Sequence, residues 1–489
     1  MRLVGVILLI IAGACSAGTV GPVAPPLPFS PPLRYMLLSG SFLQDDCPIC
    51  GRPTVQEPMR GTFDLRLIES HVLFSRYRME NVSFTAGSSG AYTVTGQGDF
   101  QIGGEVAVTQ KMSMNVDINN GFIITAATLK NDPVPPPRSF PMMDATVVQT
   151  NGTQTMVYTL RLTAAPVQDL WFSTGTFFTA GAGAEPGQYM MGGDLLSLSG
   201  HRVKTNAQFY GSIGATPPGP DLGLDAVSVL PGGEIAFSLD IGFPMTNVGP
   251  VYPGDLLSTK GRIIRRNMEL LAAFRIMPVA PDPGLDAVLV LDSGEILFSI
   301  ESDVFSESLG STLHRGDLLS STGSIVRPYS KLYEKFHPSS PPADYGLDSL
   351  YRWPGGEIWF SPEFAFTDDQ LGPITPGDLL SDQGYIVFRN SELVAPFSPV
   401  QTTADFGLDA LFVVTDLTPP PDAPPQILIS RKNGTPGITL NWQSSARVFQ
   451  VERVSDLKLP FAPVSPVIPD LSWSDPFEGT RAFYRLRQW

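Results

Sequence analysis

Four aspartates recur at nearly constant spacing: Asp225, Asp286, Asp348 and Asp409 lie 61, 62 and 61 residues apart. Each sits in the same phrase, Gly-Leu-Asp followed by a small residue, namely Ala226, Ala287, Ser349 and Ala410. Carboxylates gathered round a common axis would offer hard oxygen ligands, and calcium takes about six to eight of them. The alternative is local: an Asp at the start of a strand accepts backbone N–H bonds and fixes the turn. A second phrase, Gly-Asp-Leu-Leu-Ser, keeps the same period, and its Asp194, Asp255, Asp317 and Asp378 read as turn chemistry. A third set, Asp169, Glu234, Glu295 and Glu357, stands beside turns, where solvation is expected. A carboxylate present in repeated copies points away from catalysis, because an active site is normally built once.

Between these phrases run loops that differ from one another, at residues 174–192, 240–253, 301–315 and 362–376. Variable loops on a rigid scaffold are where binding concentrates. Phe177, Phe178, Phe243, Tyr252, Phe305 and Phe366 give them aromatic faces for stacking on a sugar or gripping a protein. The same rings could instead cover the apolar ends of the sheets. The single-copy acids Glu301, Asp303, Glu307, Asp368 and Asp369 are the candidates for a secreted polysaccharide-acting enzyme, which needs two opposed carboxylates. No Gly-x-Ser-x-Gly, His-Glu-x-x-His or phosphate-loop pattern occurs. The leading expectation is a non-catalytic binding or scaffold protein for a glycan or protein ligand, with hydrolysis as the alternative.

Cys47-Pro48-Ile49-Cys50 admits three chemistries. As a redox pair it looks like the glutaredoxin motif, but that needs a helix starting at the first Cys, and Gly51-Arg52-Pro53 would end one at once. As half a zinc site it lacks a second Cys pair, leaving only His71, His201, His314 and His337. As a disulfide it suits an exported protein.

These residues must be positioned by short strands. Each repeat gives four strand signals, the first Leu224–Leu230, the second Glu234–Ser238, the third in Gly-Asp-Leu-Leu-Ser and the fourth near Arg262-Ile263-Ile264. Four antiparallel strands repeated radially describe a propeller blade. Asp169–Ser173 is a second strand lacking a first, and Leu408–Val414 is a first strand lacking a second. Together they make one blade, giving a four-bladed β-propeller over 166–416, of about 61-residue repeats, closed by its C-terminal strand with no free edge. The unit resembles the hemopexin repeat in Asp225-Ala226-Val227, a Gly turn into a strand bearing Phe237, and Gly254-Asp255. That resemblance implies four blades but no shared ligand: the loop before Gly-Asp is longer, and the Tyr-Trp-Arg after it and a sealing Cys pair are missing. The units also look like repeats in secreted bacterial proteins of planctomycete and verrucomicrobial type, from which no activity carries over.

On either side the chain stays all-β. Residues 34–165 show short period-two runs, expected to form a β-sandwich or barrel. Residues 426–489 carry Trp442, an aromatic-Val strand at 448–453 and a late Tyr484 strand, and are similar to fibronectin type III modules. Pro-rich linkers at 18–33 and 417–425 mark the boundaries. Arg2, an apolar stretch to Ala12 and small residues beyond read as a signal peptide over 1–17, so the protein is expected to be exported. Cleavage before Cys15 would instead free that thiol as a lipid anchor. No later run reaches the ~20 apolar residues of a membrane span. The net charge of −15 argues against unaided binding to nucleic acid or an anionic membrane.

Overall fold

Period-two alternation is strongest in Thr109–Asn119, where Gln110, Met112, Met114, Val116 and Ile118 are buried and Lys111, Asn115 and Asp117 are exposed. The computed structural model describes residues 32–489 except 88–89, 154, 215–218, 246, 279–281, 341–342, 403–404, 419–424, 431–436 and 477–481. Residues 1–17, expected to be a signal peptide and including Cys15, and most of both Pro-rich linkers lie outside the described residues. What is described is all-β, made of antiparallel sheets. Among the described residues no helix is long and apolar enough to cross a membrane.

The first nine strands are β1 (Leu33–Leu37), β2 (Phe42–Asp46), β3 (Val55–Ser70), β4 (Phe74–Ala86), β5 (Tyr92–Gly103), β6 (Thr109–Asn119), β7 (Ile124–Lys130), β8 (Met143–Gln149) and β9 (Val157–Ala165). They pair in the order β1-β3-β2-β9-β8-β7-β6-β5-β4, and β4 returns to β3, so the sheet closes on itself as a barrel. Its inside is filled by Tyr35, Phe63, Phe84, Phe100 and a set of methionines that includes Met79 and Met114. Glu105–Val108 form the turn before β6.

Four four-stranded sheets follow. The first contains Asp169–Phe172, Leu195–Ser197 and His201–Lys204, with Leu411–Val414 as its inner strand. The second has Val227–Val229, Ile235–Phe237, Leu256–Ser258 and Arg262–Arg265, and the third Val288–Val290, Ile296–Phe298, Leu318–Ser320 and Ser324–Arg327. Ser349–Arg352, Ile358–Ser361, Leu379–Ser381 and Tyr385–Phe388 make the fourth. Each inner strand neighbours the next and Leu411–Val414 neighbours both the second and the fourth, so the sheets form a ring. The closing register pairs Asp169 with Val414 and Phe172 with Leu411. Ala226, Ala287, Ser349 and Ala410 are all buried where the inner strands crowd together.

A serine at the end of each second strand stitches the ring. Ser173 Oγ donates to Leu224 O at 2.6 Å, Ser238 to Leu285 O at 3.0 Å, Ser299 to Leu347 O at 2.6 Å and Ser361 to Leu408 O at 2.6 Å. Each bond runs from one sheet to the next, and the last reaches the strand that completes the first sheet.

The flanking units attach away from the end where the Gly-Leu-Asp phrases lie. The barrel meets the first and fourth sheets through Leu38, Met142 and Ala165, and Ser39 N donates to Val387 O at 2.9 Å. The C-terminal segment forms two three-stranded sheets round Leu440, Trp442, Phe449 and Val451. It docks on the hairpin of the second sheet, where Gly232 N donates to Ala446 O at 2.8 Å. Asp416, just past the closing strand, accepts from Arg34 N at 3.2 Å and from Arg487 Nη2 and Trp489 Nε1 at 2.7 Å. One carboxylate thus ties barrel, ring and C-terminal unit together.

Candidate metal centre

Each Gly-Leu-Asp phrase is set by a fixed turn. Asp221, Asp282, Asp344 and Asp405 accept the N–H of Gly223, Gly284, Gly346 and Gly407 at 3.3, 3.0, 2.9 and 2.9 Å. They also accept the N–H of Gly193, Gly254, Gly316 and Gly377, which joins the two repeated phrases. Gly284 has φ +81°, and a Cβ there would lie 2.2 Å from the Glu301 carboxyl carbon, so only glycine lets that acid approach. A short helix after each outer strand supports the turn from behind. Asn267 Nδ2 donates to Gly284 O and Asn390 Nδ2 to Gly407 O, and where Tyr329 replaces the Asn, Tyr333 OH reaches Gly346 O at 2.8 Å. No helical periodicity announces these four-to-seven-residue helices.

The turn delivers Asp225, Asp286, Asp348 and Asp409 to the ring axis. Among the described residues, no backbone N–H is seen to donate to these four carboxylates. A second tier stands above them. Two residues beyond each stitching serine comes Asp240, Glu301 or Glu363, and in the first sheet Gly175, whose Cα faces the Asp409 carboxylate. Asp240 is open to solvent, while Glu301 and Glu363 are half-buried, so the acids line a funnel that deepens towards the aspartates. One carboxylate oxygen each of Asp225, Asp286 and Glu301 lie within 4.8 Å of one another. Oδ2 of Asp225 and Oδ2 of Asp286 are buried with no hydrogen-bond partner.

The electrostatics follow from this crowding. Burial, then the neighbouring carboxylates, push all four axial aspartates well above the usual carboxylate range. Glu301 is pushed up to about 7 by burial and then by Asp240, Asp282 and Glu363. The charge of Arg315 reaches Asp286 and works against its rise, and Arg315 is held by Glu363 at 3.1 Å. Buried charges of one sign demand a counter-charge or protons. Oxygen-only ligands at this separation suit a hard cation such as calcium.

The other repeated acids are structural. Asp194, Asp255, Asp317 and Asp378 each accept from the first residue of the following helix, as Asn206 N does to Asp194 at 2.7 Å. Asp169, Glu234, Glu295 and Glu357 are not solvated as expected. They accept from Ser197, Ser258, Ser320 and Ser381, the final residues of Gly-Asp-Leu-Leu-Ser on the neighbouring strand. The period-two spacing hid this, because the partners come from different strands.

Among the loop aromatics, Phe177, Phe243, Tyr252 and Phe305 are exposed at the acid end. Phe178 and Phe366 are not contact residues: Phe178 packs on Phe397 and Phe406, and Phe366 stacks on Tyr345 at 4.4 Å. Each lies on an inward-facing position of a short loop hairpin. The single-copy acids are dispersed. Asp368 is buried and accepts three backbone N–H groups, from His337, Gln370 and Leu371. Asp369 holds Ser339, Glu301 belongs to the axis, and Glu307 is exposed. Asp303 accepts from Arg315 N and pairs with His314 Nδ1 at 3.0 Å, close to Asp344, whose oxygens are already used by Gly316 and Gly346. Cys47 and Cys50 form a disulfide, with Cα atoms 5.4 Å apart. No family model matches the chain, and no curated protein is similar enough to count as a relative.

Proposed function

We propose that the ring is a four-bladed β-propeller of hemopexin-like design, that it holds a calcium-like cation on its axis, and that the protein is an exported, non-catalytic binding or scaffold protein. The observation that carries the cation is the pair of buried, unpartnered oxygens on Asp225 and Asp286, within reach of Glu301. Axial aspartates from all four sheets would make the ion a keystone of the ring rather than a reagent. Phe177, Phe243, Tyr252 and Phe305 on the same end supply the surface for a glycan or protein ligand. The C-terminal pair of sheets fits a fibronectin type III-like spacer.

Calorimetric titration of the chelator-stripped protein with calcium tests the cation. Saturable binding is expected, and calcium at about 100 times its Kd should add about 2.7 kcal/mol of stability. The double variant Asp225→Asn with Asp286→Asn should lose both effects, and a wild-type protein indifferent to calcium and magnesium ends the proposal. A glycan array run beside a polysaccharide hydrolysis screen addresses the ligand: turnover would replace binding by catalysis.

A further inference from the structure

A second site lies at the opposite end of the ring. The barrel and the fourth sheet enclose a cleft of about 970 Å³, at the upper limit of ordinary ligand pockets. Four cations line it, Arg138, Arg161, Arg327 and Lys335, against two carboxylates, Asp144 and Glu357, and Arg327 is also held by the buried Asp382 at 2.8 Å. That is a local excess of positive charge in a chain of net charge −15.

Neither carboxylate is free to answer the cations fully. Glu357 is occupied by Ser381 Oγ at 2.7 Å, Trp359 Nε1 at 3.0 Å and Tyr385 OH. Asp144 takes two bonds from Arg161, at 3.1 and 3.0 Å, and stands 3.9 Å from Arg138 Nε. Arg138 lies over the Tyr385 ring with its guanidinium carbon 3.6 Å from the centroid, which fixes its plane. Two donors on lining residues then remain without a partner: Arg138 Nη1 and Trp353 Nε1, the latter on a side chain only 3% exposed. A buried donor is costly to leave unpaired, and a planar guanidinium with a free N–H is suited to a carboxylate or sulfate oxygen.

We propose that this cleft binds an acidic oligosaccharide, one whose sugar rings bear carboxylate or sulfate groups, with an oxyanion seated on Arg138. The cleft is large enough for several sugar rings. Its cations are interleaved with Asp144 and Glu357; the three bonds to Glu357 all fall on Oε1, so Oε2 can accept from a sugar hydroxyl, while the two charges would repel a uniformly anionic chain. Phe140, Pro141 and Pro354 add apolar wall for ring C–H faces. This site is separate from the axial cation and from the loop surface, so it stands whether or not those proposals hold.

The test is titration of the full chain with an oligouronate, a sulfated oligosaccharide of equal length, a neutral oligosaccharide and a poly-glutamate peptide. Saturable binding of at least one acidic sugar is expected, about tenfold or more above the neutral one and weakening with salt. Preference between the two acidic sugars identifies the oxyanion. Arg138→Gln should reduce affinity about tenfold, and Trp353→Phe, which keeps an aromatic ring but removes the indole N–H, about threefold. Should Arg138→Gln not fold, Lys335→Gln, on an exposed side chain and leaving the Arg327–Asp382 pair intact, should weaken binding and lessen its salt dependence. Equal binding of the neutral sugar, no binding of either acidic sugar, or unchanged affinity in the folded variants overturns the proposal. Tighter binding of poly-glutamate replaces the sugar by an acidic protein segment.

Discussion

Glu234 and Asp225 begin adjacent strands of one sheet and so stand at its opposite ends, yet their surroundings treat the same charge in opposite ways. Burial works to raise Glu234, but Ser258, Lys260 and Arg262 overcome it and hold this carboxyl below its ordinary range. Asp225 meets burial and then Asp286, Asp240, Asp348 and Asp409, and is driven well above it. Glu234 is electrostatically complete within the protein. The Gly-Leu-Asp end is complete only with something added. Repetition alone therefore does not identify a binding residue, since both acids recur round the ring; the partners on neighbouring strands decide.

The largest expected effect removes the ring that holds the two ends apart. A chain ending at Phe406 loses Leu411, Phe412, Val413 and Val414, all buried, at about 1.5–3 kcal/mol each against a total of about 5–15 kcal/mol. Thermal melting followed by circular dichroism should then show no cooperative transition, whereas a chain ending at Leu417 should keep one.

The next pair of variants contrasts the ends directly. Glu234→Ala leaves Ser258 without its acceptor and should cost about 2 kcal/mol in urea denaturation, with or without calcium. Asp225→Asn should do the reverse in chelator, stabilising by on the order of 1 kcal/mol because it removes one of the crowded charges. In calcium it should instead be destabilising. Equal losses for both variants in chelator would erase the distinction.

Acidity should sharpen the same comparison. Near pH 4 the free-end carboxyls are largely protonated in the folded protein, while their unfolded counterparts begin to ionise. Between about pH 4 and 7, the upper value that of Glu301, the unfolded chain binds fewer protons than the folded one. Stability in chelator should therefore fall as pH rises through this window, and calcium should cancel the fall. Glu234 contributes the opposite slope, adding stability as pH rises past its folded value. A melting temperature that rises from pH 4 to 7 in chelator would contradict the crowding at the axis. A comparably small effect is expected of Ser361→Ala, which cuts one stitch to Leu408 O and should cost about 1 kcal/mol.

Much of this arrangement was legible in the sequence, and the reasons for the rest are physical. Constant spacing exposed the repeat, and the unmatched copy at Gly407 foretold that Leu411–Val414 would pair with Asp169–Phe172. The second tier of acids escaped notice because it changes type, from Asp240 to Glu301 and Glu363, and lapses at Gly175. The serine partners of Glu234 and its equivalents escaped because hydrogen bonds across strands leave no local pattern. Barrel and sandwich could not be told apart, since closure depends on β3 bending through bulges to pair with β1, β2 and β4 along its length. The cleft draws on Arg138 and Trp353, more than two hundred residues apart, which no motif joins.

The closing register has a consequence in time. Asp169 and its partner Val414 are 245 residues apart in the chain. At ~5–20 residues per second, synthesis leaves the first sheet waiting roughly ten to fifty seconds for its inner strand. Throughout that interval the edge of Asp169–Phe172 is a template, and Leu411–Val414 from a second copy matches it residue for residue. The error to expect of this chain is thus strand exchange between copies, yielding two rings that each hold the other shut.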